Sequence, residues 1–303
     1  MNTNAKLSTT NEWLVASTKL LTQNNIATAR LDSLVLLEDA LGRDKSHLLA
    51  HPEKQLTALQ IRNLNEQIVR RKNHDPLAYI RGKSEFYGRE FIVNRHTLEP
   101  RPETENMIKL FKKLIANHQL PVAYQATRDL KLETGDNNLL IVDVGTGSGC
   151  IGITVKLEHP ENEVVGMDVS NECLDVARKN TKKLGADVAF YQGDLLLALP
   201  PATSSQPCIL LCNLPYVPDA HTINKAAMQE PKLAIFGGSD GLDLYRKLFE
   251  QIGKLMINAQ LIFTESLPNQ HKELTKIAQK HGFRLKTTDD FIQLFVAKSK
   301  FQS

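Results

Sequence analysis

The sequence predicts a doubly wound α/β protein preceded by a small all-helical domain. Three observations carry that prediction. Residues 11–72 hold apolar positions at helical spacing, with no strand pattern among them. From Asn138 onward, short apolar runs alternate with amphipathic helical segments. The first of those runs opens directly into a glycine-rich turn. Length and composition agree with this. The chain has 303 residues, 42% of them hydrophobic and 23% charged, which suits a globular protein of two domains and excludes disordered or collagen-like chains.

The elements follow in order. Trp13, Leu14, Ala16, Leu20 and Leu21 mark a first helix, and Leu31, Leu34, Leu36, Leu37 and Leu41 a second. A third covers about 57–72 and ends in Arg70-Arg71-Lys72, cations suited to a helix C-terminus. Residues 1–74 are therefore read as a helical domain. Asp75-Pro76 breaks the pattern. SEFYGREFIVN then alternates about Gly88 as a hairpin should, so 75–100 reads as a β-hairpin connector. Residues 101–303 form the third segment. A helix is expected from Glu103 to His118 and an irregular loop over 119–137. The run LLIVDV is continuous, like a strand buried on both faces. EVVGMDV, ADVAFYQ, CILLCNL and AQLIFTE are further strands, and FRLKTT and FIQLFVAK close the sheet as an antiparallel pair.

Charge and cysteine usage narrow the function classes. The net charge is +3. Residues 1–84 hold 12 Lys/Arg against 8 Asp/Glu, and the remainder 25 against 26, so the larger C-terminal part is near neutral and direct nucleic-acid binding is not expected. Four cysteines exclude a disulfide scaffold and suit a reducing cytoplasm. Cys208 and Cys212 share strand parity and read as buried thiols rather than metal ligands; no metal is expected. No apolar run reaches the ~18–20 residues of a membrane span, and MNTNAKLSTT has no apolar core, so neither membrane insertion nor a secretory signal is expected.

Two motifs carry chemistry. Asp143-Val144-Gly145-Thr146-Gly147-Ser148-Gly149 lies where a strand turns into a helix, so backbone can approach a ligand beside the helix N-terminus. Asp168 closes the next strand, where a carboxylate can accept two ribose hydroxyls. The ligand is then a nucleoside. Gly147 to Gly152 also satisfies the dinucleotide pattern G-x-G-x-x-G, which keeps a dinucleotide open as a rival. Asp143 argues against it, because a carboxylate facing the loop would repel a pyrophosphate, whereas S-adenosylmethionine is cationic. Asp194 ends the third strand and can accept from an adenine amino group, with Leu195 packed on the ring. The second motif is Asn213-Leu214-Pro215-Tyr216 at the end of CILLC. The Asn213 oxygen and the Leu214 carbonyl can accept the two hydrogens of a planar nitrogen, and Tyr216 can stack on it.

The chain resembles the PrmC/HemK-type N(5)-glutamine methyltransferases, which methylate the glutamine of peptide chain release factors. The resemblance spans nearly the whole chain. It runs through the helical region, DPLAYIRG, EFYGREFIVN, EPRPETE at Glu99 to Glu105, DVGTGSG, Asp168, NLPYVPD, Gln229-Glu230-Pro231 and GGSDGLDLYR at Gly237 to Arg246. It implies a Rossmann-like class I methyltransferase domain using S-adenosylmethionine. Gly145, Thr146, Gly147, Ser148, Gly149 and Asp168 would hold that cofactor. Asn213, Leu214, Pro215 and Tyr216 would hold the glutamine amide. The helical domain would dock the release factor, and the enzyme would be a cytoplasmic monomer. Where the family usually has NPPY this chain has NLPY, which keeps the carbonyl at 214 and loses the fixed φ of proline. Glu99 replaces an apolar residue, the 119–137 loop is long, and FIQLFVAK lacks the usual glycine and arginine. These departures keep two alternatives open: an exocyclic amine of DNA or RNA as substrate, or a catalytically weakened binding paralogue.

Overall fold

The computed structural model describes residues 8–116, 139–200 and 206–298. The chain divides into two compact units, one of residues 1–83 with 223–229, the other of residues 84–222 with 230–303. The expected 119–137 loop lies outside the described residues.

The first unit is helical: α1 (Thr10–Gln23), α2 (Ala29–Leu41), α3 (Lys45–Ala50), α4 (Ala58–Lys72) and α5 (Leu77–Arg81). Capping boxes at Thr9/Glu12 and Thr57/Gln60 start α1 and α4 by satisfying backbone N–H groups that have no partner within the helix. The apolar stripes meet in one core of Trp13, Leu21, Leu36, Leu37 and Leu64. Asp32 and Arg71 are also buried there, paired at 2.7 Å. Such a pair is costly to break, because the surviving charge would be left unpaired. Helices α3 and α5 go unread in the sequence because each is about one turn or two long, too short for a periodic pattern. Pro76, expected to end a helix, also begins α5 as its N-cap.

The second unit begins at Ser84, inside the hairpin of β1 (Lys83–Phe86) and β2 (Arg89–Ile92). Tyr87 and Gly88 have φ of 52° and 70°, the left-handed pair that a two-residue type I′ turn requires. Phe86 and Phe91 are fully buried in the core shared with Phe111, Ile153 and Phe263. The hairpin is thus part of the sheet unit rather than a bare connector. Helix α6 spans Glu105–Ala116 after a 3-10 turn at Pro102–Thr104. The Glu105 carboxylate accepts from the Tyr87 backbone N–H at 2.8 Å and ties hairpin to helix.

The sheet has seven strands: β3 (Leu140–Val144), β4 (Glu163–Asp168), β5 (Ala189–Gln192), β6 (Cys208–Cys212), β7 (Ala259–Glu265), β8 (Phe283–Asp289) and β9 (Ile292–Ala297). Their order is β5-β4-β3-β6-β7-β9-β8, parallel except at β9. Helices α7 (Cys150–Glu158), α8 (Asn171–Leu184), α9 (Asp243–Lys254) and α10 (His271–Lys280) complete the unit. Alternate residues of each strand enter two separate cores. Ile209 and Leu211 join Phe111 and Ile153, while Cys208, Leu210 and Cys212 join Tyr245 and Leu248. Both cysteines are therefore buried on one face, as their parity predicts. The strand order reverses between β3 and β6, and open α/β sheets bind ligands at that switch point, beyond the carboxyl ends of the strands. No described helix is long and apolar enough to cross a membrane.

Candidate active site

Register brings the two motifs together. Val144 pairs with Met167 on one side and Cys212 on the other. The next residues, Gly145, Asp168 and Asn213, therefore leave the sheet side by side. Cys212 in turn pairs with Thr264, which sets Glu265 opposite Asn213. A cavity of about 490 Å³ opens at this edge. Its lining includes Gly145, Thr146, Gly147, Ser148, Asp168, Asp194, Leu195, Asn213, Leu214 and Pro215. Of the residues expected at the site, Gly149 and Tyr216 are not in that lining.

The glycine turn is built for close approach. Gly145 and Gly147 have φ of 74° and 55°, and a Cβ on Gly147 would meet nothing within 4 Å. Asp168 anchors the turn: Oδ2 accepts the Gly147 N–H and Oδ1 the Ser170 N–H, each at 2.9 Å. Burial raises its pKa, and those backbone donors oppose the rise. Gly149 has a different task. A Cβ there would lie 2.7 Å from Ile153 and 3.2 Å from Ala177, so this glycine lets α7 pack against α8.

Asp143 requires a correction. It does not face the ligand. It is fully buried, and its Oδ2 accepts from Thr146 Oγ1 at 2.6 Å and from the Gly152 N–H at 2.9 Å. A Cβ on Gly152 would sit 3.0 Å from that oxygen. The second and third glycines of the dinucleotide-like pattern thus serve packing and the Asp143 brace. What weighs against a dinucleotide is the packing of Gly149 against Ile153 and Ala177, at the position where a pyrophosphate needs open backbone, and not charge repulsion. Burial lifts the Asp143 carboxyl to about 6.

At the other end, Asn213 Nδ2 donates to Thr104 Oγ1 at 3.0 Å, which leaves the amide oxygen as the free acceptor. Leu214 is 2% exposed and its side chain packs under Gly145. The Tyr216 hydroxyl donates to Glu265 Oε1 at 3.1 Å. Glu265 is fully buried, and burial raises it to about 7. Tyr245 ties the strand ends below: its hydroxyl donates to the Glu265 carbonyl at 2.5 Å and accepts from the N–H groups of Glu265 (3.2 Å) and Leu214 (3.4 Å). The loop at Gly237–Gly241 braces the motif from outside. A Cβ on Gly237 would lie 2.3 Å from the Pro215 carbonyl oxygen, and one on Gly241 2.0 Å from that of Tyr216.

Further residues complete the rim. Arg101 pairs with Glu230 at 2.6 Å, and Glu230 also accepts from the Glu99 N–H at 3.2 Å. Lys247 pairs with Asp194, so one oxygen of that carboxylate is already engaged. Sequence reasoning singled out neither Lys247, Tyr245, Thr104 nor Glu265. Thr104 and Tyr245 lie inside EPRPETE and GGSDGLDLYR, and Glu265 is an acid closing an apolar strand, the same signal that marked Asp168. Nothing local marks Lys247.

Residues 12–82 match the family model of the PrmC N-terminal domain, and residues 141–230 that of a methyltransferase domain. A release factor glutamine methyltransferase of Koribacter versatilis is 37% identical over 227 residues, 74% of each chain. The chain belongs to the release factor glutamine methyltransferase family. Another family member, from Bacillus anthracis, is 32% identical over 249 residues, 81% of this chain and 82% of its own. The crystal structure of the hMettl16 catalytic domain in complex with MAT2A 3′UTR hairpin 1 has a TM-score of 0.50 at 11% identity, covering 95% of this chain and 92% of that one, and shares the methyltransferase fold.

Proposed function

We propose that this methyltransferase transfers a methyl group from S-adenosylmethionine to the side-chain amide nitrogen of a glutamine in a peptide chain release factor. The observation that carries the reading is the single cavity that joins the Gly145–Ser148 turn and Asp168 to Asn213, whose amide oxygen is held free as an acceptor. The residues fit the cofactor. An open glycine turn, the half-buried acid Asp168 and the apolar Leu195 suit a nucleoside, and the cavity is large enough for one of drug-like size. Gly145, Gly147 and Asp168 would hold it, with Asp194 toward the base. When bound, S-adenosylmethionine supplies an activated methyl group. Asn213 Oδ1 and the Leu214 carbonyl accept the two amide hydrogens and so orient the nitrogen. Positioning of this kind can supply roughly 7–11 kcal/mol in favourable cases. Pro215 fixes the chain beyond that carbonyl, and Tyr216 acts by anchoring it to Glu265 rather than by stacking on the amide.

The helical unit docks the folded substrate, and the four buried free thiols suit work in the cytoplasm. The test is to incubate the protein with labelled S-adenosylmethionine and a release factor, then map the label by mass spectrometry. Label on a glutamine nitrogen supports the reading. Label on RNA bases, or none, moves it to a nucleic-acid amine or to a binding role.

A further inference from the structure

The ladder pairs of β6 end at Cys212, so Asn213–Tyr216 is held by other contacts. On one side the Tyr245 hydroxyl accepts the Leu214 N–H. On the other stands Gln270, the last residue of the 3-10 turn Pro268–Gln270 between β7 and α10. Gln270 is 6% exposed and lies outside the cavity lining. Its Oε1 accepts the Leu267 N–H at 2.9 Å, which fixes the sense of the amide. The NH2 end then meets two acceptors with two hydrogens: it donates to the carbonyls of Tyr216 and Asp240, each at 2.7 Å. One buried amide thus ties the end of the Asn213–Tyr216 motif to the Gly237–Gly241 loop. Gly241 makes room for it, since a Cβ there would lie 2.4 Å from Gln270 Nε2. The loop is in turn fixed to α9: Asp240 Oδ1 accepts from Arg246 Nη1 at 2.9 Å and from the Leu242 N–H at 3.1 Å.

We propose that Gln270 is a positioning residue for methyl transfer, holding the Tyr216 carbonyl beside that of Asp240 so that Asn213 Oδ1 and the Leu214 carbonyl keep one spacing and direction at the cavity. The proposal rests on the reading of those two oxygens as the acceptors of the substrate amide. Both carbonyl oxygens lie 2.7 Å from a single nitrogen, and without its hydrogens they would face each other as unpaired acceptors. The motif would then shift, and a misplacement of about 1 Å can cost ~10²-fold in rate.

The test uses the full chain. Gln270→Met matches the length of the side chain and removes its hydrogen-bonding groups. Gln270→Asn keeps an amide that is one methylene short of both carbonyls, and serves if Gln270→Met does not fold. The kcat and KM are measured with labelled S-adenosylmethionine and a release factor. The kcat is expressed per cofactor site counted by calorimetry, so that unfolded protein is not scored as slow protein. Expected is a kcat lower by about tenfold or more, with the KM for the release factor and the affinity for S-adenosylmethionine within about threefold of the parent. Hydrogen exchange gives a second readout that needs no turnover. The Val217 N–H, bonded to the Ile235 carbonyl at 3.0 Å, and the Gly237 N–H, bonded to the Val217 carbonyl at 2.9 Å, should exchange about tenfold faster or more, while the β6 amides keep their protection. A folded variant whose kcat stays within about threefold of the parent, or whose S-adenosylmethionine affinity falls as far as its kcat, overturns the proposal. So does unchanged exchange at Val217 and Gly237. If the wild type methylates no glutamine, the functional reading fails instead, and hydrogen exchange alone decides whether Gln270 holds the motif.

Discussion

At the scale of single residues, the site depends on carboxylates and amides whose partners are already committed. Asn213→Ala removes the side-chain acceptor proposed for the substrate amide. Turnover should fall by ~10²-fold or more, as when a transition-state hydrogen bond worth about 2.7–4 kcal/mol is lost, with cofactor affinity far less affected; single-turnover kinetics beside calorimetry separate the two. Asp168→Ala removes the anchor of the Gly147 and Ser170 N–H groups along with the proposed ribose acceptor. At least a tenfold loss of S-adenosylmethionine affinity is expected, since charge-assisted bonds are worth about 1.5–3 kcal/mol each. Glu265 links pH to stability. Its folded pKa of about 7 lies above the ordinary 4.5, so the folded state binds more protons than the unfolded state between those values. Stability therefore falls as pH rises through that window. Between pH 5 and 8 the wild type should lose about 2–3 kcal/mol more than Glu265→Gln in urea unfolding, a shift of one unit being 1.36 kcal/mol. Equal slopes in the two proteins would show that the carboxyl is not held neutral.

At the scale of elements, the loops after the strands are shaped by backbone contacts. Gly241 has φ of 80° and its α-hydrogen faces the Tyr216 carbonyl, where a Cβ would come within 2.0 Å. Gly241→Ala cannot be absorbed by a side-chain rotation, because the obstacle is main chain. It should displace Asn213–Tyr216, cost more than about 1 kcal/mol of stability and lower turnover. Gly253, within α9, meets nothing within 4 Å. Gly253→Ala should be neutral or stabilising by up to about 1 kcal/mol. Urea unfolding of the pair, with methyl-transfer assays, checks whether the contrast follows the contact rather than the residue type. The sequence showed this loop only as part of a resemblance; the reason for its glycines is a carbonyl some twenty-five residues away in the chain.

At the scale of the whole molecule, the hairpin decides where the chain can be divided. Phe86 and Phe91 belong to the sheet unit's core, and Arg95 to Arg101 contribute to the cavity wall. A chain beginning at Ser84 should fold and bind S-adenosylmethionine, while one beginning at Arg101 should expose the apolar surface left by two phenylalanines and lose stability. The Ser84 chain should methylate a folded release factor far more slowly than the parent; an equal rate would remove the docking role from the helical unit. The strands, the two long motifs and the acid at Asp168 were legible because each is a local pattern: an apolar run, a glycine turn, a carboxylate closing a strand. Asp143 was misplaced because sequence shows that a carboxylate stands at a strand end but not toward which face it turns, and burial with Thr146 and Gly152 settled that. The bond of Tyr216 to Glu265, the separate tasks of Gly147 and Gly149, and the bond from Asn213 to Thr104 likewise belong to tertiary structure. Each is fixed by contacts between segments far apart in the chain, set by the register of parallel strands, and no local spacing encodes that register.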